Sequence, residues 1–327
     1  MRKEEYSVGQ LTVDNIIGGG INPFVRRVIY LDPTNGSDGY SGKKIDSARR
    51  TMASALSLIQ NNRHDMIYYI SGTSGITLTA AMFWSTTGLT GGTTLNYSKL
   101  CGVNSGNAQG ARSRIFNASS GVTPILTVAG TGNYFSDFYL SDSSSDAHGT
   151  ALVSGSYNRF DRVNFAGPLG NGADTAYRTL TVTGAYNLFK DCVIGLDTAP
   201  MSAANGLLSF GAAGVNHPMN FFEDCRFLMQ NNTNKTPFFI YDQGTTGQGT
   251  GSLFKRCSFI NVRGQAQTLT YAISWAETGG GLQHVFEDCV FVGVDDIIAT
   301  GNVSRAVFTA YGETTTKIGI AQQTTVG

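Results

Sequence analysis

The chain has 327 residues, enough for one large domain or two ordinary ones, and its 23 Lys and Arg balance 23 Asp and Glu. Zero net charge excludes the basic excess with which a nucleic-acid binder releases counterions from phosphates. Charged residues make up only 14% beside 41 glycines, a composition that disfavours helical bundles and coiled coils and fits short strands joined by tight turns.

Residues 1–25, with Gly18, Gly19 and Gly20 and little periodicity, read as an N-terminal arm. Its opening MRKEEYSVGQ is charged and has no apolar stretch behind it, so it does not read as a secretory signal. No run reaches the ~18 apolar residues of a membrane span, and no membrane insertion is expected. Residues 26–65 read as a first strand at Arg26–Tyr30, a turn-rich loop at Asp32–Gly39, and one helix. Met52, Ala55, Leu56 and Ile59 carry the helical spacing, with Asp46 or Ser47 as N-cap and Asn61-Asn62 as the stop. Such a helix would cover the open end of a solenoid, where unpaired strand edges recruit other chains. Residues 66–311 read as short strands with Gly-rich corners, Pro200–Pro218 and Asp242–Gly251 as excursions, and Val307–Tyr311 as a partial last coil. Residues 312–327 read as a polar C-terminal tail.

One phrase returns six times: NYFSDFYL from Asn133, NRFDRVNF from Asn158, NLFKDCVI from Asn187, NFFEDCRF from Asn220, SLFKRCSF from Ser252 and HVFEDCVF from His284. Its Phe residues, 135, 160, 189, 222, 254 and 286, advance by 25, 29, 33, 32 and 32. Asn and Phe, two apart, point to one side of a strand, as do Cys and the final apolar residue. Phe and Cys are three apart, so the alternation breaks between them and the chain turns a corner. Stacking such bent pairs at a constant step gives parallel strands ~4.8 Å apart with each side chain above its counterpart. The fold expected is all-β: a right-handed parallel β-helix with an N-terminal capping helix and one interior Phe stack.

Two columns invite a chemical reading. After each Phe the outward residues run Lys190, Glu223, Lys255, Glu287, then Asp191, Asp224, Arg256, Asp288. Interleaved signs point to a solvent-facing charge ladder rather than a carboxylate cluster for catalysis or metal. Cys192, Cys225, Cys257 and Cys289 spread along an axis, whereas zinc sites gather ligands around a point. Reduced, buried, metal-free thiols are therefore expected, and no cofactor is implied.

The segment YLDPTNGSDGYSG, then TMASAL, then IYYISGTSGITL, resembles the start of pectate-lyase-like β-helix proteins, and the repeated phrase resembles their later turns. The resemblance spans roughly residues 26–311 and implies fold rather than function, because this superfamily holds polysaccharide lyases, glycoside hydrolases, phage tailspikes and non-enzymatic virion surface proteins. VDDIIATGN is similar to the paired-Asp segment of polygalacturonases, which makes Asp295 and Asp296 the candidates for an acid and base. The upstream Asn-Thr-Asp and the downstream Gly-His-Gly and Arg-Ile-Lys of that pattern are missing, so loop aspartates are the better reading. His64, His148, His217 and His284 are scattered, and His284 stands in for the Asn of the phrase. Trp84 and Trp275 read as core.

The expectation is a non-enzymatic phage virion surface protein made in the bacterial cytoplasm, with head decoration ahead of a tailspike role. Its expected partners are its own copies in a homotrimer and capsid or tail proteins bound through residues 1–25. The alternative is a tailspike or receptor-binding protein that binds host surface glycan and depolymerises it, as a hydrolase or lyase, with Asp295 or Asp296.

Overall fold

Each copy of the repeat folds as two short strands joined at one left-handed residue. In the third copy, Leu188–Lys190 is the first strand, Asp191 turns the corner at φ 52°, and Val193 opens the second. Asp137, Arg162, Asp224, Arg256 and Asp288 hold the same corner with φ between 51° and 62°. The computed structural model describes residues 25–70, 75–89, 91–103, 113–117, 124–142, 149–167, 177–201, 206–211, 219–231, 237–242, 251–262, 268–275, 284–298 and 306–309. The expected arm at 1–25, apart from Val25, and the tail at 312–327 lie outside these residues.

Three parallel sheets of ten, eight and eight strands run the length of the solenoid. The first sheet begins with Val28–Leu31 and ends with Ala306–Thr309. Phe135, Phe160, Phe189, Phe222, Phe254 and Phe286 lie in register along it. Their rings stack at 4.7–4.8 Å between centroids, and Phe308 continues the stack at 5.0 Å. A parallel stack in the second sheet joins Phe227, Phe259 and Phe291 at 4.4 and 4.5 Å. Each fully buried Phe contributes about 1.5–3 kcal/mol of transfer free energy, so these columns are a large contribution to stability.

The third sheet goes beyond the bent pair of the repeat. Arg178–Val182, Gly206–Phe210 and Phe238–Asp242 are among its strands. Pro200–Pro218 is therefore no simple excursion, since it contains Gly206–Phe210, whose Leu208 and Phe210 are buried. The expected helix is shorter than its apolar spacing suggested, spanning Met52–Leu56. Its N-cap is Thr51, whose hydroxyl accepts from the Ser54 amide at 3.2 Å. Asp46 and Ser47 belong instead to a 3-10 turn at Ile45–Ser47. All four spaced residues are buried nonetheless, and Met52, Ala55 and Leu56 share the core with Ile29 and Leu31.

Candidate functional site

The corner that leads into the first sheet carries a hydrogen-bonded ladder on its inner side. Asn133, Asn158 and Asn187 each donate their backbone N–H to the side-chain oxygen of the next member, at 2.9 Å. Their Nδ2 groups donate to the carbonyls of Leu95, Gly130 and Gly155 at 2.9–3.0 Å. Asn220, Ser252 and His284 continue the series, with His284 Nδ1 accepting from the Ser252 amide at 3.0 Å. His284 thus replaces Asn as a ladder acceptor. With Nδ1 so used its proton sits on Nε2, 3.1 Å from the buried carboxylate of Asp242.

On the outer side of this corner stands a row of rings. His64, Tyr97, Tyr157 and Tyr186 hold φ of 58°, 51°, 57° and 54°, with Gly132 at 69° between Tyr97 and Tyr157. Tyr97, Tyr157 and Tyr186 are 44%, 62% and 44% exposed. The Tyr157 and Tyr186 rings stack at 5.2 Å, and His64 lies 5.6 Å from Tyr97. A Cβ on Gly132 would sit 2.6 Å from the Tyr97 ring, so a side chain there would force that ring to shift. Bulky side chains with positive φ are strained, and such strain gathers at functional surfaces. The sequence reading missed this row; its signal was the recurring Tyr-Asn of Tyr157-Asn158 and Tyr186-Asn187.

The corner that leaves the first sheet is lined by the thiols. Cys192, Cys225, Cys257 and Cys289 donate to the carbonyls of Phe160, Phe189, Phe222 and Phe254 at 3.3–3.4 Å. All five cysteines are free. Burial pushes the Cys225 thiol well above its ordinary range, which keeps it an inert S–H. Cys289 departs from expectation by being only partly buried, as a member of the last coil with a described thiol. Outside, Lys190 reaches Glu223 at 3.7 Å, Lys255 reaches Glu287 at 2.7 Å, and Arg256 binds Glu223 and Asp224 at 2.7 Å. The Arg256 guanidinium holds the Asp224 carboxyl below the usual range, whereas burial and the neighbouring Asp224 raise Asp191.

A denser cluster lies on the outer face of the first sheet nearer the N-terminus. Asp161, almost wholly buried, accepts from Tyr134 at 3.0 Å and from Arg159 Nε at 2.9 Å. Arg162 clamps Asp137 through two bonds of 2.6 and 2.7 Å. Burial raises Cys101 to about 11 and lowers Lys99. These groups stabilise one another as ion pairs, and the thiol is too weak an acid to serve as a nucleophile at neutral pH. Farther along, an open basin of about 620 Å³ is lined by Arg26, Arg27, Val28, Tyr30, Lys43 and Arg63.

Asp295 and Asp296 are not loop residues: they lie on Val294–Ile298, a strand of the third sheet paired with Leu269–Trp275. Both are exposed. As successive strand residues they point to opposite sides, so the geometry does not bring them to one substrate. Trp84 is buried, with its Nε1 donating to Ser98 at 2.8 Å. His148 and His217 lie outside the described residues, as does the Trp275 side chain. Among the described residues, no three His, Cys, Asp or Glu side chains gather as a metal site.

No family model and no curated protein matches the chain. Among solved structures it is similar to a pectin methylesterase variant in complex with a hexasaccharide, at 13% identity and a TM-score of 0.50, over 84% of this chain and 81% of that one. It is also similar to a pectate lyase at 14% identity and a TM-score of 0.47, over 86% of this chain and 78% of that one. Three parallel sheets wound in succession define a parallel β-helix protein. At such identity the likeness is one of fold.

Proposed function

We propose that the chain is a non-enzymatic structural protein of a bacteriophage virion surface, a homotrimer held to the capsid as a decoration protein through residues 1–25. The observation that carries this reading is the disposal of charge. Asp137, Asp161, Glu223, Asp224 and Glu287 are each engaged by Arg or Lys of their own or a neighbouring coil. A glycosidase or lyase site needs carboxylates left to face the substrate together, whereas the exposed Asp295 and Asp296 point to opposite sides of their strand. Free thiols fit assembly in a reducing bacterial cytoplasm. The basic basin beside Arg26 suits an acidic capsid surface next to the arm.

Purified protein should copurify with particles in copy numbers matching capsid symmetry, and should release neither reducing ends nor unsaturated sugars from the host's surface polysaccharide. Release that Asp295→Asn or Asp296→Asn abolishes would establish the depolymerase alternative instead. A second reading, glycan recognition without cleavage, is favoured by the exposed tyrosine row, since Tyr rings offer an apolar face beside a hydroxyl. It predicts that Tyr157→Ser weakens retention on immobilised host polysaccharide.

A further inference from the structure

The capping helix is short, and beside it a groove of about 460 Å³ opens at the N-terminal end of the solenoid. One wall is the helix, through Met52, Ala53 and Leu56. The other is Ile76–Leu78 and Met82–Phe83, the first strands of the second and third sheets, whose outer edges pair with no described strand. Leu78 is half-buried, and Leu89 at the rim is 50% exposed. The direction of the backbone at this edge follows from its neighbours. Ile76 and Leu78 lie opposite Ile115 and Asn117. The Ile76 N–H points to that side, donating to the Tyr69 hydroxyl at 3.2 Å, which in turn donates to the Arg114 carbonyl at 2.7 Å. Backbone groups alternate along a strand, so those of Thr77 point the other way, toward the groove it lines. An open strand edge beside aliphatic side chains is the arrangement that an added extended segment uses: main-chain bonds give affinity and apolar contacts give choice.

The geometry points to one occupant, the chain's own residues 11–17, paired on the edge at Thr77 with their aliphatic side chains in the groove. Leu11, Val13, Ile16 and Ile17 make four of these seven residues aliphatic, whereas residues 1–10 are charged and polar. Contour length fits. Pro33, which lines the groove, comes eight residues after Val25, and Ile17 comes eight before it. A segment doubling back from Val25 therefore reaches the groove within the ~26–29 Å that eight residues can span. Gly18, Gly19 and Gly20 give that reversal its conformational freedom. Charge fits as well. The Arg50 guanidinium at the rim donates to the Gly36 carbonyl at 2.9 Å and has no carboxylate partner among the described residues, and Asp14 is the one acid of the segment. The C-terminal tail follows the opposite end of the ten-stranded first sheet, so the arm is the nearer occupant. Residues 1–10 are left for the virion contact proposed above, and the assignment does not depend on that contact.

The test is chymotrypsin cleavage of the full chain, read by mass, for the native protein and for Leu89→Asp, Thr77→Pro and Val13→Asp. Leu89 is exposed and the Thr77 N–H points away from its ladder, so a cooperative melt should persist in both groove variants. A protease reaches a seated bond only in the opened fraction. The Leu11–Thr12 bond should therefore be cut at least about tenfold more slowly in the native chain than in any of the three variants. The Tyr6–Ser7 bond, outside the seated segment, should be cut alike in all four. Val13→Asp combined with Leu89→Asp should expose Leu11 no more than either change alone, because both remove one contact. Equal cleavage after Leu11 in native and variant chains would overturn the docking. Protection lost in Val13→Asp but kept in both groove variants would place the segment elsewhere. Protection lost in Leu89→Asp but kept in Thr77→Pro would overturn the edge pairing, and protection that fades on dilution would give the groove to the arm of another copy.

Discussion

At the corner leading into the first sheet, amides line the inside and aromatic rings the outside. At the corner leaving it, thiols line the inside, and Asp and Arg stand outside. Both corners need a residue at positive φ in coil after coil. Their chemistry divides the labour differently. The side chain of a ladder Asn such as Asn158 makes four hydrogen bonds, each worth about 1 kcal/mol net and more if its partner is left unmet. A thiol is a weak donor and contributes mainly as a small buried apolar group. Outside, the tyrosines bring strain and one stack, whereas the charges bring screened attraction. One corner is thus held from within and the other from both sides weakly.

Substitutions can break this contrast. Asn187→Leu should have the largest effect, because it leaves the Asn158 amide and the Gly155 carbonyl without their partners. A loss of about 2–5 kcal/mol is expected by urea unfolding, and a loss under about 1 would mean the ladder does not hold that corner. Cys225→Ala should cost about 1–2 kcal/mol by the same measurement, since it removes one buried sulfur and leaves a small void.

Smaller effects separate the outer rows. Arg256→Gln should lower the melting temperature slightly and flatten the acid limb of the stability curve. Asp224 has a depressed pKa, so its contribution is present above the ordinary carboxylate range and is lost as pH falls through the folded value. Without Arg256 there is less to lose. Tyr157→Asn should change stability by less than about 0.5 kcal/mol, as relief at φ 57° offsets the lost stack on Tyr186. Asp191→Asn should be the smallest and of opposite sign. Its raised pKa means the folded state disfavours the charge, a penalty present at neutral pH and absent below the carboxylate range. The variant should melt slightly higher at pH 7 and alike in acid.

The first two sheets were legible because their strands share a phrase: Asn187, Phe189, Cys192 and Ile194 repeat their roles in the following coils, and register follows from matching them. The third sheet was hidden because Arg178–Val182, Gly206–Phe210 and Phe238–Asp242 share only the Leu180 and Leu208 pair in register and follow connections of unequal length. The charge ladder and the role of His284 followed from position in the phrase. Asp295 and Asp296 were misplaced in a loop because their strand belongs to that unmarked sheet. The tyrosine row was missed because positive φ at a non-Gly residue leaves no mark in alternation; only its place beside the Asn gave it away. The buried Asp161 cluster was missed because outward positions were assumed to be wet.

The ladder of amides also has a direction. The N–H of Asn133 reaches forward to Asn158, that of Asn158 to Asn187, that of Asn187 to Asn220, and that of Ser252 to His284. Every such donor therefore waits for a partner that the ribosome has not yet delivered. A nascent chain can close each rung only after the next coil has emerged, so the rod matures one turn behind its own synthesis.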